Sequence, residues 1–186
     1  MIYLMRHGQD DESFIGGWSD VNLIDEGRKQ VTEAALWIQK NLAIKKIVCS
    51  DVKRAIETAK IVSEILGVPY ELNSNLREQN KGLLNGMKKE EAMEKYLLYM
   101  DDSVTVDTIY PEGESLRDLY KRIYSYLEQL LKLEDNTLLI THRGVINMIY
   151  FIFNNISLNM DKKQFKVNTA SIHELDKEHK LIKKVR

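Results

Sequence analysis

The sequence predicts an α/β fold, a single doubly wound and mostly parallel sheet with helices on both faces. Three short apolar runs support this, at Ile2–Met5, Lys46–Cys49 and Thr137–Thr141, because runs of this length are typical of buried parallel strands. Longer segments with helical periodicity separate them. The 186 residues suffice for one domain, so we expect a single domain over residues 1–186.

The first half of the chain predicts three strands and two helices. After the strand at Tyr3–Met5, a polar loop leads to a helix that begins near Asp25, a residue type favoured at N-caps. The strand at Lys46–Cys49 precedes a second helix, for which Ser50 or Asp51 is the expected N-cap. Gly67 and Pro69 end that helix, and a short strand is expected near residues 70–72.

The second half begins with an irregular stretch, residues 73–87, followed by a predicted helix over Lys88–Met100. Ser115 and Asp118 have capping-box spacing and predict the start of a long helix. After the strand at 137–141, residues 144–153 are apolar nearly all round, which indicates a buried helix. Two further strands are expected over Thr169–Leu175 and Leu181–Val185.

Composition limits the classes of partner. A formal net charge of −1 argues against a nucleic-acid-binding surface but is compatible with a small basic pocket. The single cysteine, Cys49, cannot form an internal disulfide and lies in an apolar run, so a buried thiol and a reducing compartment are expected. No signal peptide is recognisable, and the apolar run Val145–Phe153 is too short to span a bilayer. We expect a cytoplasmic protein without nucleic-acid or membrane partners, as a monomer or homodimer.

Basic side chains follow the carboxyl ends of the predicted strands, where open α/β sheets bind ligands. Arg6 and His7 follow the first strand, His142 follows the strand at 137–141, and Arg54 lies on the first turn of the helix after the second strand. Guanidinium groups bind phosphate through paired hydrogen bonds, and a neutral imidazole is nucleophilic near pH 7. These four side chains predict a pocket for a dianion such as a phosphoryl group.

Other interpretations of these residues remain open at this point. His142 alone is compatible with a hydrogen-bonded core histidine, and Glu78 with a surface ion pair to Arg77 or Lys81. The acidic run Asp10–Glu12 could join His7 as metal ligands, which would be a different class of enzyme. We expect no metal, because the neighbouring arginines would repel a divalent cation.

Seven blocks of sequence, in order, resemble those of the histidine phosphatase superfamily, also called the phosphoglycerate mutase-like family. Arg6-His7-Gly8 resembles its first signature and Thr141-His142-Arg143-Gly144 its second-histidine motif. The other blocks are Gly17–Asp20 with Gly27–Gln30, Ser50–Ala55 with Thr58-Ala59, Leu76–Glu78 with Leu84–Gly86, Pro111–Ser115, and Asn168–Ile172.

The resemblance implies a mechanism and a set of site residues. His7 would attack phosphorus to form a phosphohistidine, while Arg6, Arg54 and His142 hold the phosphoryl oxygens. Glu78 is the implied general acid and base. Neither a metal nor a cofactor is implied.

The sequence departs from the common family pattern at a few positions near the site. Gln9 and Asp10 stand where glutamate and threonine are frequent, and Ser13 where an asparagine usually contacts phosphate. Ile24 replaces a usual threonine, whose capping we expect Asp25 to take over. Arg143 replaces a usual glycine and would add positive charge. Gln9, Ser13 and Arg143 are therefore expected among the substrate-binding residues.

Three functions fit the sequence, and the first is favoured. It is a phosphomonoesterase acting on a small phosphorylated metabolite. The second is a phosphoglycerate mutase, although mutases of this family are typically longer, with inserted segments that enclose the substrate. The third is a non-catalytic phosphate-binding module, which the intact set of basic and acidic site residues disfavours.

Overall fold

The computed structural model describes residues 1–101, 103–161 and 164–186, and a mixed β-sheet forms its centre. In chain order the strands of the described residues are β1 Ile2–Arg6, β2 Lys46–Cys49, β3 Tyr70–Leu72, β4 Thr137–Thr141, β5 Ile172–Asp176 and β6 Leu181–Lys184. The α-helices of the same residues are α1 Asp25–Asn41, α2 Lys53–Leu66, α3 Lys89–Lys95, α4 Leu116–Leu131 and α5 Arg143–Phe153.

The strand order in the sheet is β3-β2-β4-β1-β5-β6. The first four strands of that order are parallel, and β5 and β6 add an antiparallel hairpin beside β1. Arg6 is in register with Thr141, and Cys49 with Ile140, so β1, β4 and β2 end side by side at one edge. The predicted doubly wound, mostly parallel α/β sheet is confirmed.

Each face of the sheet carries its own hydrophobic core. Because side chains alternate along a strand, Leu4 packs into the core beneath α4 and α5, whereas Tyr3 and Met5 pack into the core beneath α1 and α2. Helix α5 is buried nearly all round, as its composition predicts. Cys49 is also buried, and burial raises the pKa of its thiol.

The two predicted N-cap interactions are wrong. Ile24 and Val52 occupy the N-cap positions of α1 and α2, and neither forms a side-chain capping bond. Asp25 is the first residue of α1 and pairs with Arg28 at 2.9 Å. Ser50 is buried, and its hydroxyl lies 2.8 Å from Nε2 of the His142 ring. By contrast, the Ser115–Asp118 capping box and the left-handed Gly67 at the end of α2 are confirmed.

Two predicted elements are shorter than expected. The helix predicted over Lys88–Met100 stops at Lys95, since Tyr96 leaves helical geometry, and continues only as a single 3₁₀ turn. The strand predicted from Thr169 begins at Ile172, because Ala170 adopts φ +53° in a turn and donates its N–H to the carbonyl of His7. Among the described residues, no helix is long and apolar enough to cross a membrane.

Candidate active site

A pocket of about 500 Å³ lies beyond the carboxyl ends of β1 and β4. The main-chain N–H of His7 donates a hydrogen bond to the carbonyl of Thr141 at 2.9 Å, which holds the two strand ends together. The rings of His7 and His142 lie 5.1 Å apart, centroid to centroid. The sheet register thus brings together two imidazoles that are far apart in sequence, as expected.

His7 lines the pocket, and both of its ring nitrogens have partners. Its Nδ1 lies 2.7 Å from the carbonyl oxygen of Gly8, which can only accept, so the proton belongs on Nδ1. Nε2 then carries a lone pair, and Arg54 Nε donates to it at 3.2 Å. Burial, followed by the charges of Arg54 and Arg6, lowers the pKa of His7 well below its usual 6.5. The ring is therefore neutral at pH 7, as a nucleophile requires.

Arg54 is the buried cation at the centre of the site. Besides His7, its guanidinium contacts His142 Nδ1 at 3.2 Å, the Ser19 hydroxyl at 3.2 Å and the Gly17 carbonyl at 2.8 Å. Asp10 provides a counter-charge 3.4 Å from Arg54 Nε. The side chain is only 2% exposed, so these contacts fix its position within the protein interior.

His142 lies behind Arg54 rather than at the pocket surface. Since a guanidinium is a donor only, Nδ1 of His142 accepts from Arg54, and the proton on Nε2 points to the Ser50 hydroxyl at 2.8 Å. Burial and the charge of Arg54 lower the pKa of His142 well below its usual value. His142 is not among the described residues that line the pocket, and direct contact with phosphoryl oxygens stays a prediction.

Glu78 and Arg6 reach the pocket from different segments, Glu78 from the irregular stretch after β3 and Arg6 from the end of β1. The Glu78 carboxylate accepts from the N–H groups of Gly144 at 3.0 Å and Gln79 at 2.9 Å. Arg6 donates through Nη1 to the carbonyl of Val167 at 3.0 Å, while its Nε has no hydrogen-bond partner among the described residues. Burial, with the charge of Arg143 second, lowers the pKa of Arg6 to about 10, so it stays charged at pH 7.

Two of the eight sequence-predicted site residues lie elsewhere. The Gln9 side chain pairs with Gln30, and Ser13 is exposed with its hydroxyl 2.6 Å from Asp11. Neither belongs to the described pocket lining, which does include Arg143. The loop after β1 turns these side chains outward, so sequence adjacency to His7 does not bring them into the pocket.

The pocket also contains residues that sequence reasoning did not assign to substrate. Asp10 and Glu12 lie on the loop after β1, and Lys81 and Lys89 approach from the segment between β3 and α4. The sequence pattern signalled a position near His7 only for Asp10 and Glu12, which belong to the acidic run after the first strand. The rest of the described lining is mixed. It has an apolar part, Phe14, Ile15, Leu116, Met148 and Phe151, and a polar part, Gln79, Asn147, Asn159 and Asp161, with three glycines.

Comparison with known proteins agrees with this architecture. The sequence profile described as histidine phosphatase superfamily (branch 1) matches residues 2–186. The chain belongs to the histidine phosphatase superfamily. Phosphoglycerate mutase-like protein 4 of Arabidopsis thaliana is 34% identical over 159 residues, which cover 80% of this chain and 69% of the relative.

Two further similarities extend the comparison. Human 6-phosphofructo-2-kinase/fructose-2,6-bisphosphatase 4 is 34% identical over 158 residues, which cover 82% of this chain but only 32% of the human protein. The crystal structure of alpha-ribazole phosphatase from Shigella flexneri superposes with a TM-score of 0.79 at 18% identity, covering 98% of this chain and 93% of that one. That structure supports the phosphoglycerate mutase-like fold.

Proposed function

We propose that this superfamily member is a phosphomonoesterase that acts on a small phosphorylated metabolite through a phosphohistidine on His7. The observation that carries the proposal is the tautomer of His7, a pocket-lining residue whose Nδ1 proton is held by the Gly8 carbonyl, so that Nε2 carries the lone pair and accepts from Arg54. A neutral imidazole held in this tautomer can attack phosphorus without first losing a proton. The names of the relatives, which include a bisphosphatase and a phosphatase, support the same class of reaction.

The reaction proceeds in two displacements. Nε2 of His7 forms a bond to phosphorus as the ester P–O bond breaks, and Glu78 gives its proton to the departing oxygen. Water then attacks the phosphohistidine, loses a proton to Glu78 and releases inorganic phosphate, which restores His7. Arg6 and Arg54 offset the charge on the phosphoryl oxygens, so positioning and electrostatics supply most of the catalysis.

Arg143 is proposed to assist substrate binding from the first turn of α5. Its charge lies close enough to Arg6 to lower the pKa of that guanidinium. Because the pocket of about 500 Å³ exceeds the size of a phosphate group, it leaves room for the rest of the metabolite against its apolar and polar side chains. Arg143 would interact with polar or anionic groups of that moiety.

The second candidate is a phosphoglycerate mutase, which the name of the Arabidopsis relative favours. In a mutase the phosphohistidine returns the phosphoryl group to a substrate hydroxyl instead of to water. A screen of phosphorylated metabolites with and without 2,3-bisphosphoglycerate distinguishes the two. Release of inorganic phosphate supports the phosphatase, and interconversion of phosphoglycerates without net phosphate release supports the mutase.

Replacement of His7 tests the nucleophile. His7→Ala should abolish turnover and prevent trapping of an acid-labile, base-stable phosphoenzyme. His179→Ala is the matched control, because His179 is exposed on the turn between β5 and β6 and pairs with Asp176. Retained turnover in His7→Ala, or failure to trap a phosphoenzyme on the wild-type protein, would contradict the proposal.

Replacement of Glu78 tests the general acid. An alkyl alkoxide is a poor leaving group and needs a proton, whereas p-nitrophenolate departs without one. Glu78→Gln should therefore slow an alkyl phosphate by about 10² to 10⁴ and p-nitrophenyl phosphate much less. Equal losses on both substrates would leave Glu78 as a binding or structural residue.

A further inference from the structure

The segment that carries Glu78 lacks regular secondary structure. It connects a single 3₁₀ turn at Ser74–Leu76 to another at Gly82–Leu84. The carbonyl groups between these turns therefore need hydrogen-bond donors from elsewhere in the fold. Arg122, on α4, supplies several of them, although it is not among the described residues that line the pocket.

Arg122 contacts three main-chain carbonyls of this segment. Its Nη1 donates to the carbonyl of Asn75 at 2.9 Å and to that of Arg77 at 3.2 Å. Its Nη2 donates to the carbonyl of Arg77 at 3.2 Å and to that of Glu78 at 3.1 Å. One rigid guanidinium thereby fixes the main chain at and before Glu78.

Glu114 holds the same guanidinium and the chain after Glu78. Its carboxylate receives two hydrogen bonds from Arg122, from Nε at 2.9 Å and from Nη2 at 3.1 Å, and one from the N–H of Asn80 at 3.0 Å. The Glu114 N–H donates to the carbonyl of Asn80 at 2.9 Å, and its carbonyl accepts from Gln79 Nε2 at 3.0 Å. The Arg122–Glu114 pair therefore holds the chain on both sides of Glu78.

The geometry of this pair requires arginine. The two side chains are only 20% and 18% exposed, so water competes weakly for these bonds. The planar fork contacts a carboxylate on one edge and carbonyls on the other, and a lysine ammonium cannot reproduce that arrangement. Lysine at position 122 would keep the charge but lose several of the bonds.

We propose that Arg122 and Glu114 form a positioning unit that sets the location of the Glu78 carboxylate relative to the phosphoryl group. The inference rests on the proposed role of Glu78 as general acid. Arg122 acts on the reaction only through Glu78. Replacing Arg122 should therefore slow hydrolysis most for substrates whose leaving group needs a proton from Glu78. A displacement of about 1 Å at a reacting group costs on the order of 10²-fold in rate.

The test compares Arg122→Lys and Glu114→Gln in the full chain on two substrates, an alkyl phosphate and p-nitrophenyl phosphate. Both variants should lower kcat for the alkyl phosphate by about 10- to 100-fold and change it less than about threefold for p-nitrophenyl phosphate. Arg117→Lys is the matched control, because Arg117 lies on the same helix in an exposed ion pair with Asp107. It should leave both rates unchanged.

A double variant separates positioning from general damage. Because Arg122 acts through Glu78, Arg122→Lys should add no further loss to Glu78→Gln on the alkyl phosphate. Multiplicative losses, or equal losses on both substrates from Arg122→Lys or Glu114→Gln, would overturn the inference. Thermal unfolding of each variant verifies folding. If Arg122→Lys does not fold, the rates of Glu114→Gln on the two substrates test the positioning role.

The inference and the proposed function fail in different ways. If Glu78→Gln slows both substrates equally, the general-acid assignment is wrong, and the positioning role falls with it. If Glu78→Gln distinguishes the substrates and the Arg122 and Glu114 variants do not, only the positioning role is wrong.

Discussion

Gly144→Ala should remove most of the general-acid catalysis without unfolding the protein. An ideal Cβ at Gly144 would lie 2.0 Å from Glu78 Oε1, 3.0 Å from its Cδ and 3.2 Å from its Oε2. The three nearest atoms all belong to the flexible end of Glu78, so the carboxylate rather than the main chain has to move. Ordinary van der Waals contact begins at 3.4 Å, so Glu78 Oε1 has to move about 1.4 Å away from the new Cβ.

That displacement sets the size of the expected effect. A misplacement of about 1 Å costs on the order of 10²-fold, and a general acid is worth about 10² to 10⁴. We therefore expect kcat for an alkyl phosphate to fall by at least about 100-fold, and kcat for p-nitrophenyl phosphate much less. Gly144 is the second residue of α5 and has no positive φ, so the helix accepts alanine there, with a stabilisation of at most about 1 kcal/mol.

Steady-state kinetics on the two substrates and thermal unfolding measure the two effects. The variant should be nearly inactive on the alkyl phosphate, with a Tm equal to the wild type or about 2–4 °C higher. Alkyl phosphate turnover within threefold of wild type would refute the assignment of Glu78. A clear drop in Tm would instead show that the main chain, not the carboxylate, yields to the new methyl group.

Four further predictions follow from the same structure. Burial lowers the pKa of His173 to about 4, so between pH 6.5 and 4 only the unfolded chain binds that proton, and His173 alone should lower the free energy of unfolding by about 3 kcal/mol as pH falls through this window. His7 and His142 shift in the same direction, so the total fall should be at least that large; urea denaturation at stepped pH measures it, and a flat profile would contradict it. Ser115→Ala removes the capping box of α4 and should lower stability by about 1 kcal/mol in the same assay. Gly27→Ala places a Cβ 2.0 Å from the carbonyl oxygen of Gln9, a main-chain atom, and should destabilise by more than about 2 kcal/mol, again by denaturation. Activity should survive EDTA and be inhibited by vanadate, because Arg6 and Arg54 supply the positive charge; activity lost to EDTA and restored by a divalent cation would favour metal binding through Asp10 and His7.

The sheet was predictable because its central strands are short, uninterrupted apolar runs. Such runs are typical of strands that are buried on both faces of a parallel sheet. Parallel pairing then places the residues after β1 and β4 at one edge. The proximity of His7 and His142 follows from that register. The motif context added Glu78, which strand ends and periodicity alone would not have selected.

The details that escaped prediction depend on contacts distant in sequence. Asp25 is a good N-cap type, but its carboxylate pairs with Arg28, and Ser50 is held by the His142 ring. The pairing of Asp10 with Arg54 requires the loop after β1 to fold back over α2. Arg122 looks like an ordinary charged residue on an amphipathic helix, because the carbonyls that it contacts belong to an irregular segment whose path the sequence pattern does not specify.

The central position of β1 has a consequence for synthesis of the chain on the ribosome. This strand is translated before its partners, yet it lies between β4 and β5, whose residues begin at Thr137 and Ile172. The hydrogen bond from Arg6 to the carbonyl of Val167 likewise cannot form until Val167 has been synthesised. Until β4 and β5 have been synthesised, the nascent chain exposes an apolar strand with two unpaired edges, which is open to misassociation. The arrangement of Arg6 and His7 at the pocket can be completed only after the segment that precedes β5 has left the ribosome.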